Sequence, residues 1–151
     1  MKKILCGCLI ALGIFIVTCL VLISLLIFAL KDSYLSKEEI FDVVNKKYDV
    51  IMNDIEKDDF TKSDRIKGIT GIKKDDGVIA FSCGGRGNVA SGVYYGFYYT
   101  EDDSPKVSFL GYVLYDEEDL KPEGNGYCFD AYDYYYTEKI RDNFFYYEAW
   151  Y

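Results

Sequence analysis

The sequence predicts an α+β protein: one N-terminal transmembrane helix, then one amphipathic helix packed on a curled antiparallel sheet of about six strands. Three observations carry this expectation. Residues 4–30 contain no charged side chain. A single stretch with helical apolar spacing follows at residues 37–57. From Phe60 onward, short runs rich in tyrosine, phenylalanine and valine alternate with turn residues.

Ile4 to Leu30 is built of Ile, Leu, Val, Phe, Ala and Cys, broken by Gly7, Gly13, Thr18 and Ser24. As a helix it would span roughly 40 Å, more than the hydrocarbon core of a bilayer requires. It is too long for the apolar region of a secretory signal. Residues 1–30 are therefore expected to form a signal-anchor and 31–151 an extracytoplasmic domain. Lys2 and Lys3 mark the cytoplasmic end, so the expected location is the cytoplasmic membrane, single-pass, with the N-terminus inside.

Ser36-Lys37-Glu38-Glu39 reads as a capping box, with Ser36 as N-cap and Glu39 at the third helical position. Ile40, Val43, Val44, Tyr48, Ile51 and Ile55 then recur at spacings of three and four, which predicts a helix over 37–57. The strands expected beyond it are 68–73, 78–83, 92–100, 106–115, 127–140 and 144–151. Lys74-Asp75-Asp76-Gly77 is the first hairpin turn. Gly84 to Gly92 reads as a glycine-rich loop and Asp116 to Gly126 as a long acidic one.

The chain of 151 residues carries a net charge of -8. Residues 100–151 hold 4 basic against 13 acidic side chains, a balance of -9. That half is unsuited to phosphate backbones, so no nucleic-acid partner is expected. Histidine is absent. Its absence removes Ser-His-Asp and Cys-His nucleophile arrangements and histidine-ligated metal sites. No motif for a cofactor is present, and none is expected. Asp75-Asp76, Glu101-Asp102-Asp103 and Asp116 to Asp119 read as solvated turns, not as a calcium loop.

Residues 94–99 read YYGFYY. Alternation sends Val93, Tyr95, Phe97 and Tyr99 to one side of a strand and Tyr94, Gly96 and Tyr98 to the other. One helix covers only one face of a sheet. Either the sheet curls, or a tyrosine-rich face is left open. On the second alternative Tyr94, Tyr98 and Tyr112 become candidate binding residues, and the single tryptophan, Trp150, a candidate contact. Cys83 and Cys128 are the two cysteines outside the apolar segment and form a candidate disulfide closing a loop of about 45 residues.

The start MKK with its long apolar span, SKEEIFDVVNKKYD, YYGFYYTEDDSP and YYYTEKIRDNFFYYE together resemble the small, uncharacterised, N-terminally anchored extracytoplasmic proteins of Gram-positive bacteria. The resemblance covers the layout of the whole chain. It implies an anchored outer domain and assigns no activity. The function expected is a non-enzymatic binding module for a protein or an envelope glycan, one version being an inhibitor or immunity-type protein. The alternatives are a carboxylate-dependent cell-wall glycan hydrolase and an accessory subunit of a membrane complex.

Overall fold

The computed structural model describes residues 15–24, 35–75, 77–88, 91–109, 112–115, 120–130 and 134–150. The chain divides into two units, Met1–Ser33 and Tyr34–Tyr151. In the first unit the described residues 15–24 are helical (α1), and their apolar side chains, Phe15, Ile16, Val17, Leu20 to Ile23, are exposed.

Among the described residues no helix is long and apolar enough to cross a membrane, which corrects the expected transmembrane helix over 1–30. The ten described helical residues span about 15 Å, half of a hydrocarbon core. The rest of the expected span, 4–14 and 25–30, lies outside the described residues.

The second unit opens with helix α2, Lys37–Lys57. Ser36 caps it as expected: its hydroxyl accepts from the Glu39 N–H at 3.3 Å, and the Glu39 carboxylate accepts from the Ser36 N–H at 2.7 Å. Ile40, Val44 and Ile51 are its fully buried residues. The helix ends on Asp58 in the left-handed region, at φ 51°. Asp54, buried near that end, accepts from both the N–H (2.7 Å) and the hydroxyl (2.9 Å) of Ser63. Those bonds fold the chain into a short 3-10 turn, Ser63–Arg65, and return it toward the sheet.

Among the described residues nine strands follow: β1 Gly71–Asp75, β2 Val78–Asn88, β3 Ser91–Thr100, β4 Val107–Phe109, β5 Tyr112–Tyr115, β6 Lys121–Glu123, β7 Gly126–Asp130, β8 Tyr134–Arg141 and β9 Phe144–Trp150. Seven form one antiparallel sheet in the order β1-β2-β3-β9-β8-β7-β6, and β4 and β5 form a separate two-stranded ribbon. The α+β architecture with an antiparallel sheet stands; the expected count of six strands is corrected. The stretches 106–115 and 127–140, read as single strands, are each a strand pair. The acidic loop contains β6, and the glycine-rich loop is the second half of β2. That strand continues because glycine leaves room for a ring: a Cβ on Gly85 would stand 2.7 Å from the Tyr94 ring.

Both sheet faces are covered. Under α2 lie Ile79, Phe81, Cys83, Phe97, Phe144 and Tyr146. On the opposite face Val78, Ala80, Tyr98, Tyr135, Phe145, Tyr147 and Ala149 form a second cluster with Leu120. The chain after β3 supplies that cover. Pro105 is buried, and the Lys106 N–H donates to the Tyr98 hydroxyl at 2.9 Å.

Candidate functional site

Register fixes which side chains share the helix-bearing face. Phe81, Phe97, Tyr146 and Glu138 stand in one row across β2, β3, β9 and β8. The next row outward is Tyr95, Glu148, Tyr136 and Cys128, and the outermost is Arg86, Val93, Trp150 and Tyr134. Helix α2 begins over the innermost of these rows: Phe41 packs against Tyr146 with ring centroids 6.2 Å apart. Its first residue, Lys37, reaches the Tyr136 ring of the next row.

Lys37, the first helical residue, pairs with Glu138. Its ammonium stands 5.1 Å from the centre of the Tyr136 ring, 5.4 Å from Tyr146 and 5.8 Å from Phe41. Three rings and a carboxylate thus enclose one cation, each ring presenting its negative face. Burial alone would raise the Glu138 pKa, but the Lys37 ammonium and the Tyr136 hydroxyl outweigh it and hold the carboxyl below its ordinary range.

Tyrosine hydroxyls on this face donate to glutamates. Tyr136 donates to Glu138 at 2.7 Å, Tyr134 to Glu123 at 3.0 Å and Tyr146 to Glu148 at 3.3 Å. Burial, then the Glu123 carboxylate, pushes the Tyr134 phenol up to about 12. Burial and the neighbouring carboxylates raise Tyr136 and Tyr146 in the same direction. All three phenols therefore keep their protons at neutral pH and act as donors.

Trp150 closes the outermost row. It is 48% exposed, and Tyr134 meets it edge to face, with centroids 6.4 Å apart at 89°. Glu148 lies two residues back on the same face of β9, and Glu123 lies beyond Tyr134 on the edge strand β6. Lys121 and Arg86 border the patch on its two sides.

The four expected binding residues do not share one surface. Tyr98 is fully buried on the opposite face, with its hydroxyl 2.7 Å from that of Thr137. Thr137 donates onward to the Tyr146 carbonyl at 2.9 Å, so Tyr98 donates to Thr137 while accepting from Lys106. Tyr94 is half-buried on that opposite face against Gly85. Tyr112 belongs to β5, and its side chain lies outside the described residues. Trp150 is the candidate that faces solvent.

Cys83 and Cys128 are not joined in a disulfide. Strands β3, β9 and β8 separate them, at about 4.8 Å per strand, whereas a disulfide needs Cα atoms within about 7 Å. Burial pushes the Cys83 thiol up to about 12.

Sequence reasoning missed Tyr134, Glu123, Glu148 and the Lys37 enclosure. Alternation along 144–150 does place Tyr146, Glu148 and Trp150 on one side. Their neighbours come from strands distant in sequence, and pairing of that kind leaves no local mark.

An open cleft of about 480 Å³ near the end of α2 is lined by Asp58, Phe60, Thr61, Asp64, Ile72 and Lys74. Asp58 there is paired with Lys74 at 2.7 Å, and both aspartates are exposed. A glycosidase acid needs a dry pocket that favours its protonated form, and this cleft is wet. Among the described residues no group of three or more cysteine, aspartate or glutamate side chains is placed to hold a metal ion. No family model, no curated protein and no solved structure matches this chain.

Proposed function

We propose that the unit Tyr34–Tyr151 is a non-enzymatic binding module that docks a protein partner, in the manner of an inhibitor, at the Trp150 end of its helix-bearing sheet face. The observation that carries this reading is the exposure of Trp150. Tyr98, Tyr135 and Tyr147 of the opposite face are buried, yet the single tryptophan stands half in solvent beside Tyr134. Tryptophan, tyrosine and arginine are the residues that most often anchor protein contacts. Here Trp150, Tyr134, Tyr95 and Arg86 lie on two adjacent rows of one rigid sheet.

The test is site-specific photocrosslinking in cells. Benzoylphenylalanine placed at Trp150 should yield one discrete adduct, and the same group at Lys46, on the outer side of α2, should yield none. Adducts of equal number and intensity from both positions, or none from Trp150, would remove the docking surface from consideration.

A further inference from the structure

The enclosure of Lys37 shows what this lattice of rings and carboxylates accepts. On one face, the protein's own ammonium sits among Phe41, Tyr136 and Tyr146 and is neutralised by Glu138. Toward the Trp150 end of the same face, rings and carboxylates meet again. Trp150 and Tyr134 supply the rings, and Glu148 and Glu123 supply the carboxylates. Resting on the docking surface proposed above, we infer that the partner is a cationic protein and that one of its lysine or arginine side chains seats over Trp150, between Glu148 and Glu123.

Three further observations support the seat. Tryptophan presents the ring most attractive to a cation, and the attraction grows as water is excluded from around the pair. A carboxylate accepts several hydrogen bonds, and a single tyrosine hydroxyl satisfies one, so Glu148 and Glu123 retain acceptor capacity for an incoming donor. Residues 34–151 carry 14 basic against 24 acidic side chains, a net -10, which attracts a basic partner from a distance and speeds its encounter. Arg86 and Lys121 bound the seat on either side. Arg86, on β2, repels a cation from that side of Trp150, and Lys121, on the same strand as Glu123, sets the limit of the seat on the β6 side.

The experiment uses the full chain held in a neutral detergent, with hexalysine and hexaarginine as probes. Trp150 is the single tryptophan, so its emission reports the seat directly. The peptides should shift that emission, with an affinity that falls as salt is added. The double substitution Glu123→Gln/Glu148→Gln should weaken binding about tenfold, because each glutamine still accepts from its tyrosine but no longer carries charge. Glu101→Gln/Asp142→Asn removes the same number of charges about 20 Å away, at the other end of the strands, and should change binding less than about twofold.

Equal weakening by the two pairs would mean diffuse attraction to net charge and would overturn the seat, as would a Trp150 emission that the peptides leave unmoved. A response to chitohexaose in place of the peptides would overturn the cation assignment while leaving the docking surface standing. No response to either probe, together with no crosslink from position 150, would remove both. Matching unfolding midpoints for the two variants and the parent show that the comparison is between folded proteins. If the double substitution unfolds, Glu123→Gln alone, on the exposed edge strand, carries the same test.

Discussion

Tyr98 and Trp150 show how one residue class serves opposite ends. Tyr98 has no exposed surface, and its hydroxyl links the Lys106 N–H to Thr137. Tyr98→Phe keeps the ring but strands a part-buried N–H. It should cost about 1 to 3 kcal/mol in urea-induced unfolding. Glycine is used as deliberately as tyrosine. A Cβ on Gly96 would stand 2.1 Å from the Phe81 carbonyl oxygen and 2.9 Å from the Tyr147 ring. Gly96→Ala should therefore destabilise by about 3 kcal/mol. Gly71→Ala, at a site open to solvent, should stay within about 1 kcal/mol of the parent in the same assay. Equal effects at the two positions would show that lost backbone freedom, not the approach of the ring, decides the cost.

At the scale of elements, helix α2 was legible because everything that specifies it is local. The capping box, the spacing of its apolar residues and its end at Asp58 all sit within the helix or beside it. Ser36→Ala should cost about 1 kcal/mol, read as a fall in the unfolding midpoint at constant denaturant slope. The other end of the helix depends on pH. Burial alone would raise the Asp54 pKa, but the N–H and hydroxyl of Ser63 outweigh it and hold the carboxyl below its usual range. A depressed carboxyl contributes stability above the ordinary aspartate range and loses it as the pH falls through the folded-state value. Asp54→Asn should therefore cost most near neutrality, and the gap to the parent should narrow in acid, measured by unfolding at a series of pH values. The strands were less legible. The runs 106–115 and 127–140 read as continuous, yet each holds two strands, because tyrosine and valine favour strands throughout them. The site was hidden for a related reason: Trp150 was visible, but its contact with Tyr134, and that of Tyr134 with Glu123, form only through the sheet.

For the whole molecule, burial of both sheet faces accounts for a chain this rich in aromatic residues. Helix α2 packs on one face and the chain after β3 reaches the other, and among the described residues Trp150, at the end of β9 on the helix side, stays 48% exposed. Hydrogen exchange should follow the strand order. Amides of β3, β9 and β8 should be the slowest, and those of the edge strands β1 and β6 should exchange first. Fast exchange in β9 would contradict the topology. The position of β9 also has a consequence for synthesis. β9 is made after β3 and β8 yet lies between them, so until it has emerged from the ribosome those two strands have no partner between them. The sheet cannot close until β9 has emerged, and a chain cut short before Phe144 leaves two aromatic strand edges exposed to chaperones and proteases. Because Trp150 ends that strand, the row of Arg86, Val93, Trp150 and Tyr134 forms only after β9 has paired on both sides.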